Sequence, residues 1–237
     1  MALVRCLAFT AVNLFKQMIR RYFFLLLFVL APGIALTADE PSPLSVPGPV
    51  VELSSAGPEW QALFESLAAQ KTVCSHFTEN RWFPFKKIPV VLKGEMRLET
   101  GRGMSLRYTE PENRTMIMDE RGLLLRDDRG HSREVPPDPR AGNINAALLP
   151  VMRFDQKELA RIFELHAVRA GNGWRLDFEP RDEALVKTIG RITVWGEDAK
   201  IKQLEFRRSN SQRVEIIIDD SKADVVFSAE EQKRFFR

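Results

Sequence analysis

Hydrophobic positions along this chain change period partway through. Trp60, Leu63, Phe64 and Leu67 fall at i, i+3, i+4 and i+7, the apolar stripe of a helix, and Pro58 suits its first turn. Beyond it the period becomes two. Leu92, Gly94, Met96 and Leu98 alternate with Lys93, Glu95, Arg97 and Glu99, and Met104, Leu106 and Tyr108 alternate with Ser105, Arg107 and Thr109. Met116 and Met118, then Leu123 and Leu125, continue the alternation. Turn signals at 101–103, 110–113 and 120–122 separate these runs. The pattern predicts a meander of short strands with one apolar and one wet face.

A charged, proline-rich loop is expected from Asp127 to Gly142. Ile144, Ala147, Leu148 and Val151 then share a helical face, with Asn143 as cap and Pro150 kinking or ending the helix. Asp155 with Glu158 reads as a capping box for a second short helix through Leu159, Ile162 and Phe163. Period-two runs resume at Trp174, Leu176 and Phe178, at Ile192 and Val194, at Leu204 and Phe206, and at Val214, Ile216 and Ile218. The expected fold class is therefore α+β, one large antiparallel sheet with short helices on one face.

The N-terminus has the layout of an export signal. Arg20 and Arg21 precede an apolar run from Phe23 to Leu36, broken by Pro32 and Gly33 and followed by Thr37 and Ala38. The run is shorter than the roughly 18 residues of a membrane span, although an uncleaved anchor is the alternative. Residues 1–38 are read as a signal peptide, translated from Met18 in its tidier form and cut after Ala35 or Ala38. Residues 39–57, rich in Pro and Ser, are read as a flexible arm, and 58–237 as the functional domain.

This division changes the charge. The formal net charge of +3 includes four basic residues and no acid within 1–38, so the remainder is close to neutral. No basic stripe points to nucleic acid. Cys6 leaves with the leader and Cys74 remains alone, so no internal disulfide is expected.

Catalytic patterns are sparse. Cys74 and His76 share a strand face, but no local motif supplies an orienting group or an oxyanion hole. Here a cysteine buried as a small hydrophobe is the plainer reading. His131 and His166 are too scattered for metal spacing, and Gly-x-Ser-x-Gly, His-Glu-x-x-His and Cys-x-x-Cys are absent. Met96, Met104, Met116 and Met118 all fall on the inner face of the first meander, and methionine adapts to varied apolar partners. By itself the alternation more often marks an ordinary filled core.

The segment from Phe77 to Arg126 adds a resemblance. Phe77-Thr78-Glu79-Asn80-Arg81 begins a strand, Lys93-Gly94-Glu95-Met96-Arg97-Leu98 follows, then Arg102-Gly103-Met104-Ser105-Leu106-Arg107-Tyr108, Glu110-Pro111 and Asp119-Glu120-Arg121-Gly122. Together with Gln203-Leu204-Glu205-Phe206 and Ser211-Gln212-Arg213, this order resembles the LolA family of outer-membrane lipoprotein carriers, over roughly Pro58 to Asp220. Glu79 stands where the family has Gln, Gly103 where it has Pro, and Ala223–Arg237 matches poorly.

The resemblance implies an unclosed antiparallel β-barrel, a half-barrel lidded by short helices, around an apolar cavity. It implies a periplasmic carrier that binds acyl chains of lipoproteins or lipids and shuttles them from an inner-membrane donor to an outer-membrane acceptor. Such a carrier is a monomer and not an enzyme, and it has no cofactor, metal or nucleic-acid partner. Met96, Leu98, Leu106, Tyr108, Met116, Met118, Leu123, Trp174, Leu176, Phe178, Val194, Leu204 and Phe206 would line the cavity. Leu148, Val151 and Met152 would form the lid, with Arg102, at the family's arginine position, as its latch. Two rival readings are a periplasmic sensor or adaptor that binds a protein with the same fold, and a hydrolase of lipid-like substrates using Cys74 or His76.

Overall fold

A computed structural model describes residues 46–136 and 144–237, with side chains in the second stretch from residue 146. All of them belong to one compact unit, Pro41–Arg237, which carries its own hydrophobic core and so has what a domain needs to fold alone. The signal peptide, the first part of the arm and the Asn143 cap lie outside the described residues.

The chain builds one antiparallel sheet of eleven strands in the order β6-β5-β4-β3-β2-β1-β11-β10-β9-β8-β7. These are β1 (Thr72–Trp82), β2 (Val90–Glu99), β3 (Gly103–Glu110), β4 (Arg114–Asp119), β5 (Gly122–Asp127), β6 (Ser132–Val135), β7 (Phe163–Ala170), β8 (Gly173–Pro180), β9 (Arg191–Glu197), β10 (Lys200–Ser209) and β11 (Gln212–Ala223). Both meanders turn back one strand at a time, and the join between them is the long pairing of β1 with β11. The terminal strands β6 and β7 do not pair with each other, so the sheet is unclosed.

Five helices accompany it among the described residues: α1 (Pro58–Ala68), α2 (Ile144–Arg153), α3 (Gln156–Ile162), α4 (Glu183–Thr188) and α5 (Ala229–Phe235). The expected stripe of α1 is the buried one: Leu63, Phe64 and Leu67 enter the core and Trp60 packs at its rim. Of the two expectations for Pro150, a kink or an end to α2, the second does not hold, because Pro150 lies inside the helix. The helix runs on to Arg153 and stops where Phe154 takes φ 50°, a left-handed conformation that no helix continues. Asp155 caps α3 by accepting from the Glu158 amide at 3.2 Å, while the Glu158 side chain turns to Arg161 instead of completing the box.

Three expectations are corrected. The loop from Asp127 to Gly142 contains β6, which borders β5 as an edge strand too charged to show an apolar alternation. Phe163 begins β7 and does not end a helix. The arm is docked over part of its length: Val51 N–H donates to the Leu165 carbonyl at 2.8 Å, Ala167 N–H to the Pro49 carbonyl at 3.0 Å, and Leu53 is buried in the core. This pairing covers the β7 edge, which would otherwise present unpaired backbone groups.

The outer face is also drier than alternation predicts. The poorly matching C-terminus straps across it, with Phe227, Phe235 and Phe236 packed together over Cys74. Arg97 lies 3.8 Å from the Phe235 ring centroid, and Arg237 forms ion pairs with Asp119 and Glu134, each at 2.9 Å.

Candidate functional site

Inside the concave face, between the first meander and α2, lies a cavity of about 160 Å³. Met96 of β2, Met104 and Leu106 of β3, and Met116 and Met118 of β4 form one wall. Leu204, Phe206, Val214 and Ile216 of β10 and β11 form the opposite wall, and Leu148, Val151 and Met152 of α2 form the roof. Register explains the convergence. Met96 faces Leu106, Leu106 faces Met116, and Met104 faces Met118, so four methionines and a leucine fall on adjacent strands of the same face.

One end of this apolar chamber is polar. Glu79 and Arg81 project from β1 and Tyr108 from β3. The Tyr108 hydroxyl donates to Glu79 Oε2 at 2.8 Å, and Arg81 Nη2 donates to Tyr108 Oη at 3.3 Å. Arg81 also pairs directly with Glu79, and the Arg114 guanidinium sits 5.4 Å from the Tyr108 ring centroid. Glu79 and Tyr108 are each only 2% exposed, while Arg81 reaches water. Burial first, and the Glu79 carboxylate second, push the Tyr108 phenol well above its ordinary range. Burial opposes the Arg81 charge, but the Glu79 carboxylate and the Tyr108 oxygen outweigh it and hold the guanidinium above its usual value.

Gly94 makes this end possible. It lies between Phe77 and Tyr108 in register, and a side chain there would fall 2.2 Å from the Arg107 carbonyl oxygen and 2.8 Å from the Phe77 ring. Without one, the two rings meet edge to face at 5.5 Å.

The thirteen residues expected to line the cavity divide. Met96, Leu106, Tyr108, Met116, Met118, Leu204 and Phe206 line it. Leu98 faces a smaller neighbouring void of about 30 Å³ with Val151, Met152 and Phe154, and Leu123 packs at the core margin. Trp174, Leu176, Phe178 and Val194 are a correction: they are filled core. Phe64 of α1 stacks on Phe154 at 5.1 Å, Phe154 meets Phe178 at 6.4 Å, and Phe178 meets Phe163 at 5.7 Å. These rings plug the half of the concave face beneath α1 and α3. Alternation marks the inner face of both meanders alike and does not reveal which half a helix fills.

Arg102 is also a correction. It stands half-exposed in the β2–β3 turn and pairs with Glu99 of its own hairpin at 3.2 Å. The ion pair that α2 makes runs from Arg153 to Glu120 in the β4–β5 turn, at 3.4 Å. Glu120 lies beyond Met118 on β4, so the helix is pinned at the end of the cavity away from Arg114 and Tyr108. Sequence reasoning missed Glu79 and Arg81 as cavity residues. Their spacing of two on a strand whose inner face also carries Val73 and Phe77 was the available signal.

Cys74 and His76 lie on the opposite face. Cys74 packs under the C-terminal strap and His76 is exposed, so neither reaches the cavity. Among the described residues no three His, Cys, Asp or Glu side chains are placed to hold a metal ion, and no helix is long and apolar enough to cross a membrane.

No family model and no curated protein matches the chain. Among solved structures, it overlaps a LolA superfamily protein from Nitrosomonas europaea over 75% of this chain and 97% of that one, with 10% identity and a TM-score of 0.40. A putative outer membrane lipoprotein-sorting protein domain from Vibrio parahaemolyticus gives 74% and 94% coverage, 8% identity and a TM-score of 0.41. MucB of Pseudomonas aeruginosa, solved with MucA, gives 14% identity and a TM-score of 0.39 over 73% of this chain, which spans 58% of MucB. The similarity is one of outline, and at these identities and scores it assigns neither a family nor an activity.

Proposed function

We propose that this chain is a periplasmic carrier that takes an acyl chain of a lipid or acylated protein into the cavity under α2 and moves it between the inner and outer membranes. The observation that carries this reading is the cavity itself: an unfilled apolar chamber, walled by side chains that reshape easily, with its one polar end near water. Apolar cavities of this kind stay dry, and an engineered one of about 150 Å³ accommodates benzene. At about 160 Å³ the closed chamber therefore takes roughly the first six carbons of a chain. The remainder enters when α2 lifts. Each methylene then buried contributes about 0.8 kcal/mol, so chain length sets affinity.

The polar end suits the reading because a headgroup or linkage would sit near Glu79, Arg81 and Tyr108 while the chain lies among the methionines. Those three groups hold no activated nucleophile, which favours binding over turnover.

The test is displacement of a single-chain acyl fluorophore from residues 41–237 by fatty acids of rising length. The carrier reading requires saturable uptake near one site per chain, tightening with each methylene and blocked by Met116→Trp. Absence of uptake, or uptake indifferent to Met116→Trp, contradicts it.

A further inference from the structure

The loop joining β1 to β2 presents apolar side chains to water. Phe85 is 70% exposed and Ile88 74%, and Val91, just inside β2, is exposed as well. Burying the exposed part of each would be favourable. The loop is held in shape. Pro84 and Pro89 flank the tip, the Lys86 amide donates to the Phe83 carbonyl at 3.0 Å, and the Phe83 and Phe85 rings stack at 5.5 Å.

Its charge is one-sided. Phe83 to Pro89 includes Lys86 and Lys87 and no acid. The end of β10 beside it adds exposed Arg208, and Arg213 of β11 lies over the Trp82 ring at 4.3 Å. The nearby acids Glu110 and Glu112 are already engaged by Lys93 at 3.4 Å and Arg114 at 3.3 Å.

We infer that this loop docks the protein on an anionic lipid bilayer, with Phe85 and Ile88 entering the interface and Lys86 and Lys87 meeting the headgroups. Apolar side chains beside lysines are the composition of reversible interfacial anchors, in which lysine stems lie along the apolar layer and their charges stay with the headgroups. A seven-residue loop is too small for the roughly 800 Å² that each partner buries in a standard protein interface. A bilayer demands no such matched area. Position adds to the argument. Trp82, the last residue of β1, follows Glu79 by three residues, about 10 Å at strand spacing, and the loop begins next to it. A docked loop therefore brings the polar end of the cavity to the membrane surface.

The experiment is cosedimentation of residues 41–237 with vesicles of phosphatidylethanolamine and phosphatidylglycerol, against vesicles of phosphatidylcholine alone. The anionic vesicles bind and the neutral ones do not. Phe85→Ser with Ile88→Ser weakens binding at least tenfold. Lys86→Gln with Lys87→Gln weakens it about fivefold per lysine and removes most of its salt sensitivity. Val186→Ser, an exposed apolar position on α4, binds as the wild type does.

Uptake of the acyl fluorophore by the Phe85→Ser, Ile88→Ser variant reads the cavity separately. Normal uptake with lost vesicle binding supports the loop as the docking element, and this result does not depend on what the cavity carries. Equal vesicle binding by that variant and the wild type overturns the proposal. So does absence of vesicle binding combined with photocrosslinking from position 85 to a membrane protein, which would assign the loop to a protein partner.

Discussion

Tyr108 and Glu79 meet across 2.8 Å at the one wet end of an apolar chamber, the phenol donating to a carboxylate that water scarcely reaches. Glu79 keeps Arg81 as a second partner, so the hydroxyl can be removed without stranding the charge. Tyr108→Phe is expected to cost about 2 kcal/mol in urea unfolding, the range for a hydrogen bond to a charged group. In a Glu79→Gln background the same change costs about 1 kcal/mol, and the difference is the coupling a double-mutant cycle measures.

The same contact makes a pH prediction. Burial and the Glu79 carboxylate raise the folded phenol above the ordinary value of about 10. A raised pKa means the folded state holds the proton more tightly. Its contribution to stability is fully present below about pH 10 and is lost as pH rises through the folded value. Tyr108 is the sole tyrosine in residues 41–237, so tyrosinate absorbance reports it alone. Absorbance should stay flat through pH 10 and appear only well above it or on unfolding. Titration near 10 in the folded protein would contradict the buried pairing.

The two halves of the concave face should respond differently to substitution. Phe178→Ala, within the aromatic plug, is expected to cost about 3–5 kcal/mol in unfolding free energy. Met116→Trp, beside the cavity, should cost little because it fills existing space, yet abolish acyl uptake. A strongly destabilised Met116→Trp would mean that the chamber does not accept the added volume.

Release should depend on Arg153 and not on Arg102. Glu120 is 80% exposed, so its pair with Arg153 is worth at most about 1 kcal/mol. Arg153→Ala is therefore expected to speed dissociation of the acyl fluorophore by up to about fivefold in stopped flow. Arg102→Ala, whose partner is Glu99 in the same turn, should leave the rate unchanged.

Much of this architecture was legible in the residues because periodicity reports which face of a strand is dry. Alternation in the two meanders put Met96, Leu106, Tyr108, Met116, Met118, Leu204 and Phe206 on the inner face, where they line the cavity. The same signal placed Trp174, Leu176 and Phe178 there too, where Phe64, Phe154 and Phe163 fill the space. What fills a concave face depends on helices arriving from elsewhere in the chain, and strand alternation carries no record of them. The β6 edge and the C-terminal strap escaped notice for a related reason. Ser132–Val135 carries charge on both faces, and the helix of the strap has a single buried residue, Phe235. Arg102 was assigned by position within a resemblance, whereas its partner is set by the local turn.

The most direct test of the central claim is native mass spectrometry of the protein purified from its native cells, followed by extraction of whatever travels with it. The account predicts a near-stoichiometric added mass that resolves into an acyl-bearing lipid or acylated peptide. It further predicts that the stripped protein regains such a mass from offered fatty acids and that the Met116→Trp variant does not. A clean unliganded mass with no uptake of fatty acid or acylated peptide would show that the chamber under α2 is a packing void, and would contradict the carrier.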